Sequence, residues 1–284
     1  MASVSLAQAR RELDDDQLEQ MARRVRRDVL KMTHLAGSGH PGGSFSMTEL
    51  LVTLYTRFLD VDPDDPDDPE RDRFILSKGH CCPGHYALLA RMGFFDRDEL
   101  WNLRRFDSFL QGHEDLKVPG CDVSTGSLGQ GLSYANGCAL AADQDERDFH
   151  TWVMLGDGEV QEGQVWEAAM TAAHRKLDNL TAIVDYNKIQ IDGFVNDVKG
   201  VEPLAAKWRA FGWHVIEIDG HDLSDIESAY NEALDTEGKP TLILAHTVKG
   251  KGVSFMENKA EFHGRALSEE EMEQALQELG EEVA

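Results

Sequence analysis

Two residues of this 284-residue chain, an aspartate and an asparagine 30 positions apart, are well suited to bind a metal ion. Asp157 stands between Gly156 and Gly158 directly after a short apolar run, and Asn187 follows the next apolar run. Glycines on either side of an aspartate let the backbone approach a ligand closely. Carboxylate and amide oxygens suit Mg²⁺ or Ca²⁺, whose remaining positions phosphate oxygens and water can fill. The pattern predicts a divalent-metal site that holds a phosphate-bearing ligand.

Two better-known phosphate-binding motifs are excluded. Residues 37–42 match G-x-G-x-x-G, but a helical pattern precedes them and Pro41 interrupts them. The dinucleotide fingerprint requires a strand before the glycines and a helix that opens within them. The chain also contains no Walker A pattern, so neither a nicotinamide site nor a P-loop is expected.

Short apolar runs alternate with helical patterns along most of the chain, which predicts an α/β fold: a doubly wound, mostly parallel sheet with helices on both faces. The predicted strands are 74–76, 152–155, 180–184, 213–218 and 241–245. The predicted helices are 14–36, 47–59, 84–92, 97–105, 131–142, 163–175, 202–210, 222–235 and 268–282. Ligands of such sheets bind at the carboxyl ends of the strands, where Asp157 and Asn187 would meet.

We expect one domain over residues 1–284. It would include an N-terminal helical segment at about 1–36 and an acidic C-terminal helix at about 268–282. Ser268 and Glu271 have the spacing of a capping box at the start of that last helix.

Six further motifs accompany Gly-Asp-Gly and Asn187. They are SGHPG (38–42), LSKGH (76–80), GH (112–113), TGSLGQG (125–131), QEG (161–163) and FHG (262–264). In this order they resemble the transketolases, over about residues 20–265. The resemblance implies a thiamine-diphosphate-binding fold, with thiamine diphosphate and Mg²⁺ (or Ca²⁺) as cofactors.

The resemblance also implies site residues. Asp157, Asn187 and the backbone carbonyl of Ile189 match the family's metal ligands, which bridge the metal to the diphosphate. The implied cofactor contacts are His80, Gly126, Leu128, Gly158, Asn187 and Ile191.

His40, His113 and His263 match the family's catalytic histidines in the substrate channel. Ketol transfer removes a proton from a sugar hydroxyl and later returns one, and imidazole can do both near neutral pH. The resemblance puts His40 and His263 at that hydroxyl and His113 near the ketol end of the donor. His85 departs from the small apolar residue expected there, and its role is open between a change at the channel mouth and none.

Only the first of the three domains of a full transketolase is represented. The chain therefore resembles the N-terminal subunit of a split transketolase, active only with a C-terminal subunit that carries the pyrimidine-binding domain. The family's arrangement implies two copies of each chain, and sugar phosphates as substrates. Glu162 and Glu167 resemble interface residues, although a solvated helix face explains them equally well.

Three alternatives remain open. The chain could belong to another two-chain thiamine diphosphate enzyme, such as the first component of a 2-oxo acid dehydrogenase, which would not need the three histidines. It could act on an unusual sugar instead of pentose phosphates. It could also bind the cofactor without a catalytic partner.

Charge and composition restrict the partners and the location. There are 52 acidic residues against 28 basic ones, a net charge of -24, so neither nucleic acid nor an anionic membrane is expected as a partner. The same acidity fits either an ordinary acidic enzyme or a halophilic source. The first residues contain no apolar signal segment, so a cytoplasmic location with reduced cysteines is expected. We expect the adjacent Cys81 and Cys82 to be buried thiols.

Overall fold

A five-stranded parallel sheet is the centre of residues 13–280, which are the residues that the computed structural model describes. Its strands are β1 (Arg73–Leu76), β2 (Thr151–Gly156), β3 (Leu180–Tyr186), β6 (His214–Asp219) and β7 (Thr241–His246). They are arranged in the order β1-β2-β3-β7-β6. A small antiparallel pair, β4 (Ile189–Gln190) and β5 (Gly193–Phe194), follows β3. The predicted parallel sheet is confirmed.

Helices cover both faces of the sheet. They are α1 (Asp15–Ala36), α2 (Pro41–Ser46), α3 (Thr48–Thr53), α4 (Cys82–Met92), α5 (Gly131–Asp145), α6 (Gly163–Arg175), α7 (Val195–Lys199), α8 (Leu204–Ala210), α9 (Leu223–Leu234) and α10 (Glu269–Glu278). Successive strand side chains point to opposite faces. In β2, Trp152 and Met154 join the core under α1 to α4 and α9, whereas Val153 joins the core under α5, α6 and α8. This two-sided burial explains the unbroken apolar runs in the sequence.

Some predicted helix bounds are wrong. The helix predicted at 97–105 is a 3-10 helix, Arg97–Asn102, whose first turn the Asp96 side chain caps. The helix predicted at 47–59 is α3 followed by a π-helical turn, Leu54–Phe58. There Thr56 Oγ1 donates to the Val52 carbonyl at 2.7 Å and competes with the regular helical ladder.

Each terminal segment contains a capped helix among the described residues. Helix α1 begins after Asp14, whose side chain forms a capping box with Gln17. Helix α10 begins after Ser268, with the predicted capping box to Glu271. Residues 1–12 and 281–282 of the predicted segments lie outside the described residues. Between residues 13 and 280, no helix combines the length and apolarity needed to cross a bilayer.

A buried ion pair connects α1 to α3. Arg26 Nη1 and Nη2 each donate to a Glu49 carboxylate oxygen at 2.6 Å, and His221 Nδ1 lies 2.9 Å from Glu49 Oε2. Burial opposes the charge of Glu49, but Arg26 and His221 outweigh it and lower the pKa of Glu49 to about 2. The pair fixes the helices whose connecting loop carries His40.

Replacing Glu49 by glutamine should lower the free energy of unfolding at pH 7 by about 3 kcal/mol, because Arg26 would keep a buried charge without a carboxylate. The matched control is Glu19→Gln, which breaks the exposed Arg23–Glu19 pair. Its effect should stay below about 0.5 kcal/mol, because solvent screens the pair. Urea denaturation measures both differences.

The same pair should make stability depend on acidity. The folded pKa of Glu49 is below its unfolded value, so its contribution is complete above about pH 4.5 and is lost as the pH falls toward about 2. The stability difference between the natural chain and Glu49→Gln should therefore shrink below about pH 4.5. A difference that stays constant as the pH falls would contradict this account of the pair.

Candidate active site

A cavity of about 350 Å³ opens where β1, β2 and β3 end. All eleven residues that the sequence predicts for the site line it, although they come from widely separated parts of the chain. They are His40, His80, His113, Gly126, Leu128, Asp157, Gly158, Asn187, Ile189, Ile191 and His263. His85, whose role the sequence leaves open, is not among the lining residues.

Asp157 provides a buried carboxylate in this cavity. It is 2% exposed, and its oxygens accept hydrogen bonds from the backbone N–H groups of Gly158 and Lys188. Burial and the nearby Asp185 carboxylate raise the pKa of Asp157 to about 7. A carboxylate with so little compensation for its charge is a suitable ligand for a cation.

Asn187 is oriented by its amide nitrogen. Nδ2 donates to Asp185 Oδ2 at 3.1 Å, while Oδ1 accepts the N–H of Ile189 at 3.1 Å. The N–H of Lys188 donates to Asp157, so the loop 187–189, which carries this amide oxygen and the Ile189 carbonyl, lies against that carboxylate. These three oxygens are the set that the sequence predicts for a divalent metal.

Asp185 and Lys78 form a buried ion pair that sequence reasoning missed. Lys78 Nζ donates to Asp185 Oδ2 and, at 3.0 Å, to the Gly43 carbonyl. Ser46 Oγ and Thr247 Oγ1 also donate to the carboxylate. Burial opposes the charge, but Lys78 keeps the pKa of Asp185 below its usual value. In the sequence, this pair is indicated only by a charged residue, Asp185, that directly follows the apolar run 180–184.

Four histidines meet on the other side of the cavity. The ring centroid of His40 lies 5.1 Å from that of His80, 5.5 Å from that of His263 and 6.2 Å from that of His113. The rings of His80 and His263 stack with their centroids 5.2 Å apart. The three predicted catalytic histidines are thus neighbours.

The pKa values of His40 and His263 are well below that of a free imidazole. Burial, together with His113, Arg104 and Lys249, lowers the pKa of His40 to about 4. Burial and Lys249 lower the pKa of His263 to about 3. A neutral imidazole has one free lone pair and one N–H, so such a ring can accept a proton through one nitrogen and donate one through the other.

Glycines allow the histidine loops to come this close. A Cβ on Gly264 would lie 3.2 Å from His40 Nε2, and a Cβ on Gly126 would lie 3.2 Å from the ring of His113. Gly126 also has a φ of 148°, which side-chain-bearing residues rarely adopt.

Lys249 is a second site residue that sequence reasoning missed. Its Nζ lies 3.0 Å from the Ile189 carbonyl and 2.8 Å from His263 Nδ1. Burial lowers its pKa. It belongs to the segment Lys249-Gly-Lys-Gly, and nothing in that pattern indicates which of the two lysines faces the cavity.

One side of the cavity is apolar and open. Ile191 is 68% exposed, and Phe194 in the adjacent β5 is 50% exposed. Leu128 is half-buried on the cavity wall.

Comparisons with known proteins agree with this geometry. Residues 17–284 match the family described as the transketolase thiamine diphosphate binding domain. The chain is 47% identical to the 6-deoxy-6-sulfo-D-fructose transketolase subunit SqwG of Clostridium sp. (strain MSTE9), over 94% of this chain and 98% of that one. It is 41% identical to an apulose-4-phosphate transketolase subunit of Phocaeicola vulgatus, over 94% of this chain and 95% of that one.

A solved transketolase has the same fold. The Campylobacter jejuni transketolase superposes with a TM-score of 0.90 at 33% identity, over 94% of this chain but only 43% of its own. This chain thus spans less than half of that transketolase and nearly the whole of the two subunits. A matching family over almost the full length, subunits of the same size and the same fold lead to one conclusion: the chain belongs to the thiamine diphosphate binding domain family of the transketolases.

Proposed function

We propose that this chain is the N-terminal subunit of a split transketolase, which moves a two-carbon ketol unit from a ketose phosphate to an aldose phosphate. The observation that carries the proposal is the meeting of a metal-ligand set and the histidines His40, His113 and His263 in one cavity. The rival first component of a 2-oxo acid dehydrogenase would have no use for these histidines.

The residues of the cavity fit a metal-bound diphosphate. Asp157, Asn187 and the Ile189 carbonyl would hold Mg²⁺ or Ca²⁺, because each offers a hard oxygen. His80 and the backbone of Gly158 would contact the diphosphate, and Lys78 and Lys249 add positive charge close by. Leu128, Gly126 and Ile191 would line the thiazolium ring. When bound, thiamine diphosphate supplies the electron sink for the carbon–carbon bond changes.

His40 and His263 are proposed to move the substrate proton. His40 lines the cavity, and its Nδ1 is buried without a hydrogen-bond partner among residues 13–280. His263 faces the same space, and its Nδ1 accepts from Lys249 Nζ at 2.8 Å, so a neutral ring presents Nε2–H to the substrate as a donor. His113, at the open side near Arg104, would contact the ketol end of the donor.

The open apolar side of the cavity supports a second subunit. Ile191 and Phe194 are exposed next to the proposed cofactor site, and burying them against a partner would close it. Relatives of the same length are called subunits, and the longer transketolase contains more than twice this length in one chain. We propose that the partner carries the pyrimidine-binding domain and that two copies of each chain assemble.

We propose that the donor sugar need not be a pentose phosphate. The two subunit relatives are named for 6-deoxy-6-sulfo-D-fructose and apulose 4-phosphate. An unusual ketose is therefore a specific second candidate for the substrate of this chain.

The partner should be recovered by a native pull-down of this chain from its source cells, at high salt with thiamine diphosphate and Mg²⁺. We expect a chain with a pyrimidine-binding domain in the eluate, and ketol transfer that neither chain shows alone. The assay should include pentose phosphates, 6-deoxy-6-sulfo-D-fructose and apulose 4-phosphate as donors. Full activity of this chain alone would contradict the split-enzyme proposal.

Asp157→Ala should weaken binding of thiamine diphosphate and Mg²⁺ by about 100-fold or more, because the metal loses its buried carboxylate. Calorimetric titration of the assembled complex measures it. Asp192→Ala is the matched control, since Asp192 lines the same cavity but is exposed. Equal affinity in Asp157→Ala and the natural chain would remove Asp157 from the metal site.

His263→Asn should lower kcat by about 100-fold or more while cofactor affinity stays unchanged, because a group that moves a proton contributes to the rate. His214→Asn serves as control, since His214 begins β6 at the opposite end of the sheet. Steady-state kinetics with saturating cofactor separates the two effects. A variant with normal kcat would show that His263 moves no proton in the rate-limiting step.

A further inference from the structure

Outside the cofactor cavity, three buried side chains of types that commonly bind metals lie together next to the loop that carries His113. His85 on α4 is 1% exposed, while Glu114 and Cys121 at the two ends of that loop are 4% and 7% exposed. Their ligand atoms lie within 4.8 Å of one another. None of the three lines the cofactor cavity, so the proposed function leaves them unexplained.

We propose that His85, Glu114 and Cys121 form a structural Zn²⁺ site. An imidazole nitrogen, a thiolate and a carboxylate together favour zinc over the hard cations Mg²⁺ and Ca²⁺. This proposal does not rest on the proposed function.

The distances suit one ion. Glu114 Oε1 lies 2.6 Å from His85 Nδ1, and Glu114 Oε2 lies 2.7 Å from Cys121 Sγ, so the carboxylate faces both other ligands. Nδ1 and Sγ are 4.0 Å apart, and ordinary Zn–N and Zn–S lengths of about 2.0 and 2.3 Å let both reach one ion at an angle of about 135°. The carboxylate contacts of 2.6 and 2.7 Å are hydrogen-bond distances, so Glu114 would move back from His85 and Cys121 when the ion enters and a tetrahedral set forms.

A further contact orients the histidine for this role. Tyr55 Oη lies 2.6 Å from His85 Nε2, on the side of the ring away from Glu114. A ligating histidine commonly donates its other N–H to such a partner, which fixes the ring and its tautomer. With the proton on Nε2 facing Tyr55, the lone pair of Nδ1 points to the proposed ion.

Zn²⁺ would compensate the charge of the cluster, because two of its three ligands, Glu114 and Cys121, bind a metal as anions. Burial and Glu114 keep the pKa of the Cys121 thiol well above its usual value. When Zn²⁺ binds, the thiol proton leaves to solvent, the Sγ–Zn bond forms, and the two positive charges cancel one thiolate and one carboxylate.

The ion would join α4 to both ends of the segment 114–121, directly after His113. Tyr86 on α4 already donates to the His113 carbonyl at 2.7 Å. Zinc would add a second connection between the same helix and the same loop.

Metal content tests the proposal. The full chain is produced with zinc in the medium, dialysed, and measured by inductively coupled plasma mass spectrometry. We expect about one Zn²⁺ per natural chain and less than about a tenth in Cys121→Ser. Serine keeps a hydroxyl that can donate to Glu114, so a cluster held only by hydrogen bonds would be little changed. Cys138→Ser, at a thiol of α5 outside the cluster, should keep its zinc.

Cobalt gives an independent signal. Co²⁺ added to the zinc-free natural chain should produce a thiolate-to-cobalt charge-transfer band. The band should persist in Asp157→Ala, where the cofactor metal site is removed, and disappear in Cys121→Ser. Equal zinc in the natural chain and Cys121→Ser overturns the proposal. If Cys121→Ser does not fold, the natural chain decides, since absence of both zinc and the cobalt band overturns it as well.

Discussion

The candidate site depends on one buried carboxylate, that of Asp185. It accepts hydrogen bonds from Lys78 after β1, Ser46 in α2, Thr247 after β7 and Asn187 after β3. A buried charge is stable only when paired and fully hydrogen-bonded, so these four segments are constrained to meet at one point. Because Asn187 gives its amide N–H to this centre, its amide oxygen points the other way, where it accepts the N–H of Ile189 and keeps a second lone pair for a metal.

The cavity brings groups of both signs together in a strongly acidic chain. The net charge is -24, and two lysines and four histidines line the cavity together with the acidic residues Asp157, Glu159, Glu162 and Asp192. Burial lowers the pKa of His40 and that of His263, and Lys249 beside His263 would attract an anionic group. A diphosphate with a divalent metal fits this arrangement, because the metal would compensate Asp157 and the lysines would compensate the phosphate oxygens.

Much of this arrangement follows from local sequence. The apolar runs predict all five strands of the parallel sheet. Because ligands of such sheets bind at the carboxyl ends of the strands, the sequence also predicts that Asp157 and Asn187 lie close together. The three histidines follow from family motifs, since no periodicity connects residues 40, 113 and 263.

Contacts between residues that are far apart in the sequence cannot be predicted from the local sequence. The partner of Asp185 is Lys78, 107 positions away, and nothing in either local pattern indicates the other. Likewise, no local pattern predicts that Lys249 lies beside His263. Nor does one predict that His85 is buried against Glu114 instead of facing the channel mouth. A sequence can indicate a buried charged residue only where that residue interrupts or ends an apolar run. It does not indicate which residue will be its partner.

The most direct test of the account is a structure of this chain with its partner, thiamine diphosphate and Mg²⁺. The account predicts the metal between Asp157, Asn187 and the Ile189 carbonyl, the thiazolium ring beside Gly126, Leu128 and Ile191, and the pyrimidine ring covered by the partner. A cofactor bound away from Asp157, or enclosed by this chain alone, would contradict it.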